Sequence, residues 1–131
     1  MKSDNPLLDD LGIRRVDHQA GRCTFELDVR ARHLNRQGSL QGGVIATLLD
    51  AACGYAGLDP DGDDVVGHAV TVMLNISYLA RTSAGRLRAT GSVTKAGRSL
   101  YFSSATLTGD AGELVATAQG TFKRTLRPGR A

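Results

Sequence analysis

The chain has 131 residues, which suits one compact domain and leaves little room for a second. Its 41% hydrophobic fraction is ordinary for a globular domain, and no apolar run approaches the length of a bilayer crossing, which excludes a helical membrane span. The net charge of +3 comes from arginines scattered along the chain, with few aromatics and no tryptophan. That pattern argues against a nucleic-acid surface and for a solvated basic face, on which a few residues could hold the phosphates of a small ligand.

The opening MKSDNPLLDD lacks the apolar stretch of a secretory signal and is too acidic for a transit peptide, so a cytoplasmic protein is expected. Cys23 and Cys53 show neither CxxC spacing nor a staple pattern, and read as free thiols serving as small apolar residues. His18, His33 and His68 belong to no metal-ligand motif, and neither a metal nor a cofactor is expected. His33 and His68 read as loop or strand-edge residues, either of which could approach a site.

In chain order, Asn5 to Leu11 predicts a short helix, with Asn5 as N-cap, Pro6 at the first helical position and Gly12 as its stop. Ile13 to His18 predicts a strand that turns at Gln19-Ala20-Gly21. In the following RCTFELDVRA, Cys23, Phe25, Leu27 and Val29 share one face, the alternation of a half-buried antiparallel strand. A polar loop from His33 to Leu40 leads to a helix over about Gly42 to Tyr55, and GLDPDGDD then supplies turn-forming residues. Four alternating stretches, HAVTVMLNISYLA, RLRATGSVTKAG, SLYFSSATLTG and ELVATAQGTFKR, complete a sheet of five or six strands, and residues 126–131 read as frayed. One long helix against an antiparallel sheet is the α+β class, in a single domain spanning 1–131.

At 100° per residue, Val44, Ile45, Leu48, Leu49, Ala52, Tyr55 and Ala56 form the stripe that meets the sheet. Gly43, Ala46, Thr47, Asp50 and Gly54 lie on the opposite side. A solvent face would favour long charged residues, and glycine inside a helix costs up to ~1 kcal/mol relative to alanine. This small-residue face therefore admits another helix, a neighbouring subunit or a ligand, while an ordinary aspartate on a solvent face remains the plainer reading. The unpaired N–H groups at Gly42 and Gly43 carry the positive end of the helix dipole, and an exposed donor with an acid suits chemistry at a polarised carbonyl. Gly42 and Asp50 are about 12 Å apart along one helix, too far to grip the same bond. An antiparallel copy of the helix across a two-fold axis would bring them together.

The stretches HLNRQGSLQGGVIATLLDAACG, TVMLNISYLART, GRLRATGSV, KAGRSL and GELVATAQGTF together resemble the hot-dog-fold acyl-CoA thioesterases of the phenylacetate-degradation (PaaI-like) branch, over about Leu11 to Arg124. The resemblance implies a sheet wrapped around one central helix and a hydrolase acting on acyl-CoA. It also implies a homodimer at minimum, commonly a homotetramer built as a dimer of dimers, with CoA at the subunit boundary and no metal. Carried over by position, Asp50 is the catalytic carboxylate, as nucleophile or general base, and Gly42 gives the amide hydrogen for the thioester oxygen. Asn35 is the loop asparagine that supports the site, and Thr71 the strand hydroxyl that holds water or the carboxylate. Gly43 permits close approach, while Arg81, Lys95, Arg98 and Ser99 stand where the family binds CoA; the charged ones are equally readable as surface residues.

One position departs from the family pattern: Gln41 stands where the family carries histidine. Glutamine can donate through its amide but cannot titrate near neutral pH. It can also be read as a plain polar residue at a helix start. The expectation is hydrolysis of a medium-chain or aromatic acyl-CoA. The rival is a non-catalytic acyl-CoA-binding or regulatory module, and a hydratase ranks last because the helix offers no histidine after Asp50.

Overall fold

A computed structural model describes residues 5–60 and 68–125 of the chain. The expected frayed tail, and the part of the turn-rich loop from Asp61 to Gly67, lie outside the described residues.

The first helix, α1 (Pro6–Leu11), is set by its ends: Asn5 Oδ1 accepts from the Leu8 N–H at 3.3 Å, and Gly12 closes it in the left-handed region at φ 78°. Strands β1 (Arg14–Gln19) and β2 (Arg22–Asp28) then form a hairpin whose turn places Gly21 at φ 82°. A single 3₁₀ turn, Ala31–His33, leads through the loop into α2 (Gly42–Ala56), the one long helix among the described residues. The chain finishes with β3 (His68–Tyr78), β4 (Arg86–Ala96), β5 (Leu100–Thr108) and β6 (Leu114–Thr125).

All described strands join one six-stranded antiparallel sheet in the order β1-β2-β4-β5-β6-β3. Its inner face wraps α2, which packs most closely against β4 and touches the other strands in turn. This is the hot-dog arrangement, with the α2 stripe buried through Val44, Ile45, Leu48, Leu49, Ala52 and Ala56. Two residues outside the expected stripe, Ala51 and Cys53, are also buried, whereas Tyr55 is only half-buried. The reason is curvature: a wrapped sheet covers a wider sector of a helix than a flat one does. Contact is close where β4 crosses, since a Cβ on Gly91 would stand 2.2 Å from the Ala52 carbonyl oxygen. Phe25, Leu27, Leu48, Leu49, Leu87 and Leu107 fill the layer between helix and sheet.

On the outer face, Glu26 is buried beneath arginines, with Arg88 donating to it from Nε at 3.0 Å and Arg14 within 3.5 Å. Asp28 accepts from Arg86 Nε at 2.9 Å, and that guanidinium holds its carboxyl below the ordinary range. Arg14, Arg86 and Arg88 are thus engaged with carboxylates of the same sheet.

The two sheet edges differ in character. β1 carries Arg14, Arg15 and Asp17 along its edge and is broken by a bulge between Arg15 and Asp17, both of which discourage further pairing. β3 is 11 residues long and contains no Asp, Glu, Lys or Arg. Val70, Val72 and Met73 are 52%, 59% and 46% exposed, which is unusual for apolar residues at the middle of a strand.

Candidate active site

The site begins where α2 begins. Gln41 is the N-cap, with an extended backbone (φ −63°, ψ 134°) and a carbonyl that accepts from the Val44 and Ile45 N–H groups. Its side chain makes no capping hydrogen bond and is exposed, consistent with glutamine's weak capping preference. The amide hydrogens of Gly42 and Gly43 have no acceptor among the described residues. They are the orphan donors of the helix start, at the positive end of its dipole. A Cβ on Gly42 would make ordinary contact with Tyr78 at 3.6 Å, and one on Gly43 would meet nothing within 4 Å. Among the described residues, nothing therefore requires glycine at either position.

The loop before the helix is organised by Asn35, whose Oδ1 accepts from the N–H groups of Gln37 (2.9 Å) and Ser39 (3.1 Å). Arg81 donates from Nε and Nη2 to Ser39 Oγ at 2.9 and 2.6 Å, tying the end of the β3 excursion to the same loop. His33 is buried with both ring nitrogens occupied: Nδ1 accepts from the Arg30 N–H at 2.8 Å and Nε2 lies 2.7 Å from the Leu11 carbonyl. It holds α1 to the loop and has no free face for chemistry. His68 lies at the start of β3 on the wall of a cleft that also contains Asp50.

Asp50, half-buried on α2, accepts a hydrogen bond at 2.8 Å from the Thr71 hydroxyl on β3. The contact is made at a bulge between Thr71 and Met73, which re-aims the strand's side chains. A cleft of about 360 Å³ opens beside the pair, floored by Ala51 and Gly54 and flanked by Leu7 and Leu8 of α1. Gly54 is also a packing residue: a Cβ there would press on Phe122 at 3.3 Å, and its carbonyl accepts from the Tyr101 hydroxyl at 2.6 Å. Its smallness therefore serves the sheet contact as well as the open face on which the helical wheel places it.

Apart from Asp50 and Thr71, which meet beside the middle of α2, the candidate residues fall into two groups at its two ends. Asn35, Gln41, Gly42, Gly43 and Arg81 gather at its N-terminus. Lys95, Arg98 and Ser99 lie at the exposed β4–β5 turn, which Arg124 links to the opposite end by donating to the Gly97 and Gly57 carbonyls. A helix of 15 residues separates the two ends by about 22 Å, so one protomer does not bring Arg81 together with Lys95 and Arg98. The sequence reading missed Tyr78, whose hydroxyl donates to the Gly42 carbonyl at 2.9 Å and fixes the helix start against β3. Its only signal was a tyrosine at the end of an alternating strand, indistinguishable from an edge residue. Among the described residues, no group of three or more His, Cys, Asp and Glu gathers as metal ligands would.

Comparison with known proteins gives this architecture its place. The Thioesterase superfamily model matches residues 37–129, and the chain belongs to that family. Human acyl-coenzyme A thioesterase 13 is 33% identical over 111 residues, covering 83% of this chain and 77% of its own length. A protein of Halobacterium salinarum is 33% identical over 97 residues, where the chain spans just under two thirds, 64%, of that relative. Among solved structures, conserved protein PA5202 of Pseudomonas aeruginosa superposes with a TM-score of 0.85 at 28% identity, over 92% of this chain and 94% of that one. The Escherichia coli PaaI protein from the phenylacetic acid degradation operon gives 0.83 at 25% identity, over 93% and 86%. Helix α2 inside a six-stranded sheet is thus a thioesterase scaffold. No described helix is long and apolar enough to cross a membrane.

Proposed function

We propose that the protein hydrolyses the thioester of a medium-chain or aromatic acyl-CoA to the free acid and CoA, at sites shared across a homodimer. The observation that carries this reading is Asp50, held through Oδ1 by Thr71 at the mouth of a partly apolar cleft. Its other oxygen is left to face a substrate or a water. From there it either attacks the thioester carbon or takes the proton of an attacking water. The Gly42 N–H of the partner donates to the thioester oxygen as negative charge develops on it, and the bond to sulfur then breaks, the thiolate leaving as CoA with a proton that comes from water. On the nucleophilic route water then cleaves the acyl–Asp50 anhydride to give the free acid and restore the carboxylate. Gln41, exposed beside that amide, adds a neutral donor from its side-chain NH₂. Asn35 keeps the loop in shape behind it, and Gly43 leaves space for the incoming ligand.

The geometry favours two subunits. Gly42 and Asp50 of one chain are about 12 Å apart, whereas antiparallel pairing of two α2 helices would place one protomer's Gly42 beside the other's Asp50. The uncharged β3 edge, with its exposed Val70, Val72 and Met73, is where a second copy would extend the sheet. The same two-fold would bring Arg81 of one subunit towards Lys95, Arg98 and Ser99 of the other, a pairing suited to the phosphates of CoA. A homotetramer formed from two such dimers completes the proposal, and the free thiols of Cys23 and Cys53 fit a reducing, cytoplasmic setting.

Subunit complementation tests it. Asp50→Ala removes the carboxylate. Gly42→Pro removes only the amide hydrogen, because proline is accepted at the first helical position and Gln41 already has the extended conformation that a following proline demands. Each variant alone should lose at least about a hundredfold in CoA release. Co-expressed in equal amounts, they should recover about a quarter of wild-type turnover, because half of the dimers are mixed and each mixed dimer holds one intact site. Binding of acyl-CoA without turnover by the wild type would instead favour the non-catalytic module. Recovery absent from the mixture, with both variants folded, would reject the shared site.

A further inference from the structure

The cleft beside Asp50 does not end in solvent alone. Its far wall is formed by Leu8 of α1 and Tyr55 of α2, and these same two residues line a second, larger cavity of about 1150 Å³. That second cavity is lined by the apolar Leu11, Ile13 and Phe25 together with charged residues of both signs, among them Asp9, Arg15 and Arg32. Leu8 is 3% exposed and anchored in the core, so the side chain that determines how far the two spaces communicate is Tyr55.

Resting on the acyl-CoA hydrolase reading above, we propose that Tyr55 is the specificity-determining residue that limits acyl-chain length. It stands five residues beyond Asp50, about 7.5 Å further along the helix axis. An acyl tail that leaves its carbonyl beside Asp50 and Thr71 runs over Ala51 and Gly54 towards that ring. The length available is much less than an extended dodecanoyl chain needs.

The ring is held on several sides. Phe25 meets it edge-on at a centroid distance of 5.2 Å, the Arg15 guanidinium lies 5.5 Å from its centre, and Asn5 Nδ2 donates to its hydroxyl at 3.4 Å. A side chain fixed in this way acts as a partition, not as a flap that a longer chain pushes aside. Removing the ring would join the two cavities and bring Leu11, Ile13 and Phe25 within reach of a longer tail.

The test is the ratio of kcat/KM for dodecanoyl-CoA to that for hexanoyl-CoA. Each methylene newly buried is worth about fourfold, so Tyr55→Ala should raise the ratio by more than about tenfold, chiefly through a lower KM for the longer substrate. Tyr55→Leu, which keeps apolar packing against Phe25, should raise it by less, and it carries the test if the alanine variant does not fold. Tyr55→Phe keeps the ring and should keep the wild-type ratio. An unchanged ratio in both the alanine and leucine variants overturns the proposal, as does an equal rise in the phenylalanine variant. If the wild type hydrolyses no acyl-CoA, the hydrolase reading fails by itself. The partition is then judged by whether S-dodecyl-CoA, a thioether that cannot be cleaved, binds Tyr55→Ala more than about tenfold tighter than wild type.

Discussion

Thr71 reaches Asp50 with one hydroxyl, and in the proposed reaction this contact leaves the other carboxylate oxygen to face the substrate. Thr71→Ala should lower kcat by roughly 10- to 100-fold, the worth of a hydrogen bond to a charged group, while KM changes little. Thr71→Ser should restore most of the loss, and steady-state CoA release distinguishes the two. Gln41 makes a separate prediction. A glutamine cannot titrate, so it contributes no limb near neutrality to the pH profile of kcat/KM. Gln41→His should introduce one below the ordinary imidazole value of ~6.5, because the exposed N-cap site imposes little burial but the positive end of the helix dipole disfavours an imidazolium. A profile of unchanged shape would mean that this side chain stays clear of the reacting bond. The residue types of the candidate site stand out in the sequence because glycine and an isolated acid are costly or odd choices on a helix. Tyr78 was not, since its hydrogen bond to the Gly42 carbonyl joins positions 36 apart in the chain and no local pattern encodes it.

Strands and helices were legible wherever periodicity was clean. β2 alternates Cys23, Phe25 and Leu27 inward, and the structure buries all three. The burial of Ala51 and Cys53 on α2 was hidden, because it depends on how far the sheet curls around the helix. Cys53 shares a consequence with two other buried acids. Burial pushes the Cys23 and Cys53 thiols up to about 12, and it does the same to the Tyr101 hydroxyl, which also reaches about 12 while donating to Gly54. Each of these groups is neutral when folded and ionises more readily when unfolded. Their contribution to stability is therefore complete below the ordinary thiol and phenol values and is lost as pH rises through about 9 to about 12. Urea midpoints measured across that range should fall steeply, and Tyr101→Phe should flatten the part above about pH 10. The thiols should also resist alkylation in the native state near neutrality.

At the scale of the whole molecule, the two sheet edges differ in what they offer the proposed dimer. β1 is guarded by charge and a bulge, whereas β3 is long, uncharged and apolar. Val72→Lys, placed at its most exposed valine, should leave the fold intact and shift the species seen in sedimentation towards monomer. Turnover should fall by at least about a hundredfold if two chains complete each site. A dimer that survives the lysine with full activity would place the interface elsewhere. The open rim of β3 has one more consequence. A chain on its own displays there 11 residues of strand with no Asp, Glu, Lys or Arg to repel a wrong neighbour. In the proposed dimer, mass action would cover that rim in a larger fraction of chains as protein concentration rises. The midpoint of thermal unfolding should therefore fall as the protein is diluted, and a midpoint independent of concentration would count against this pairing.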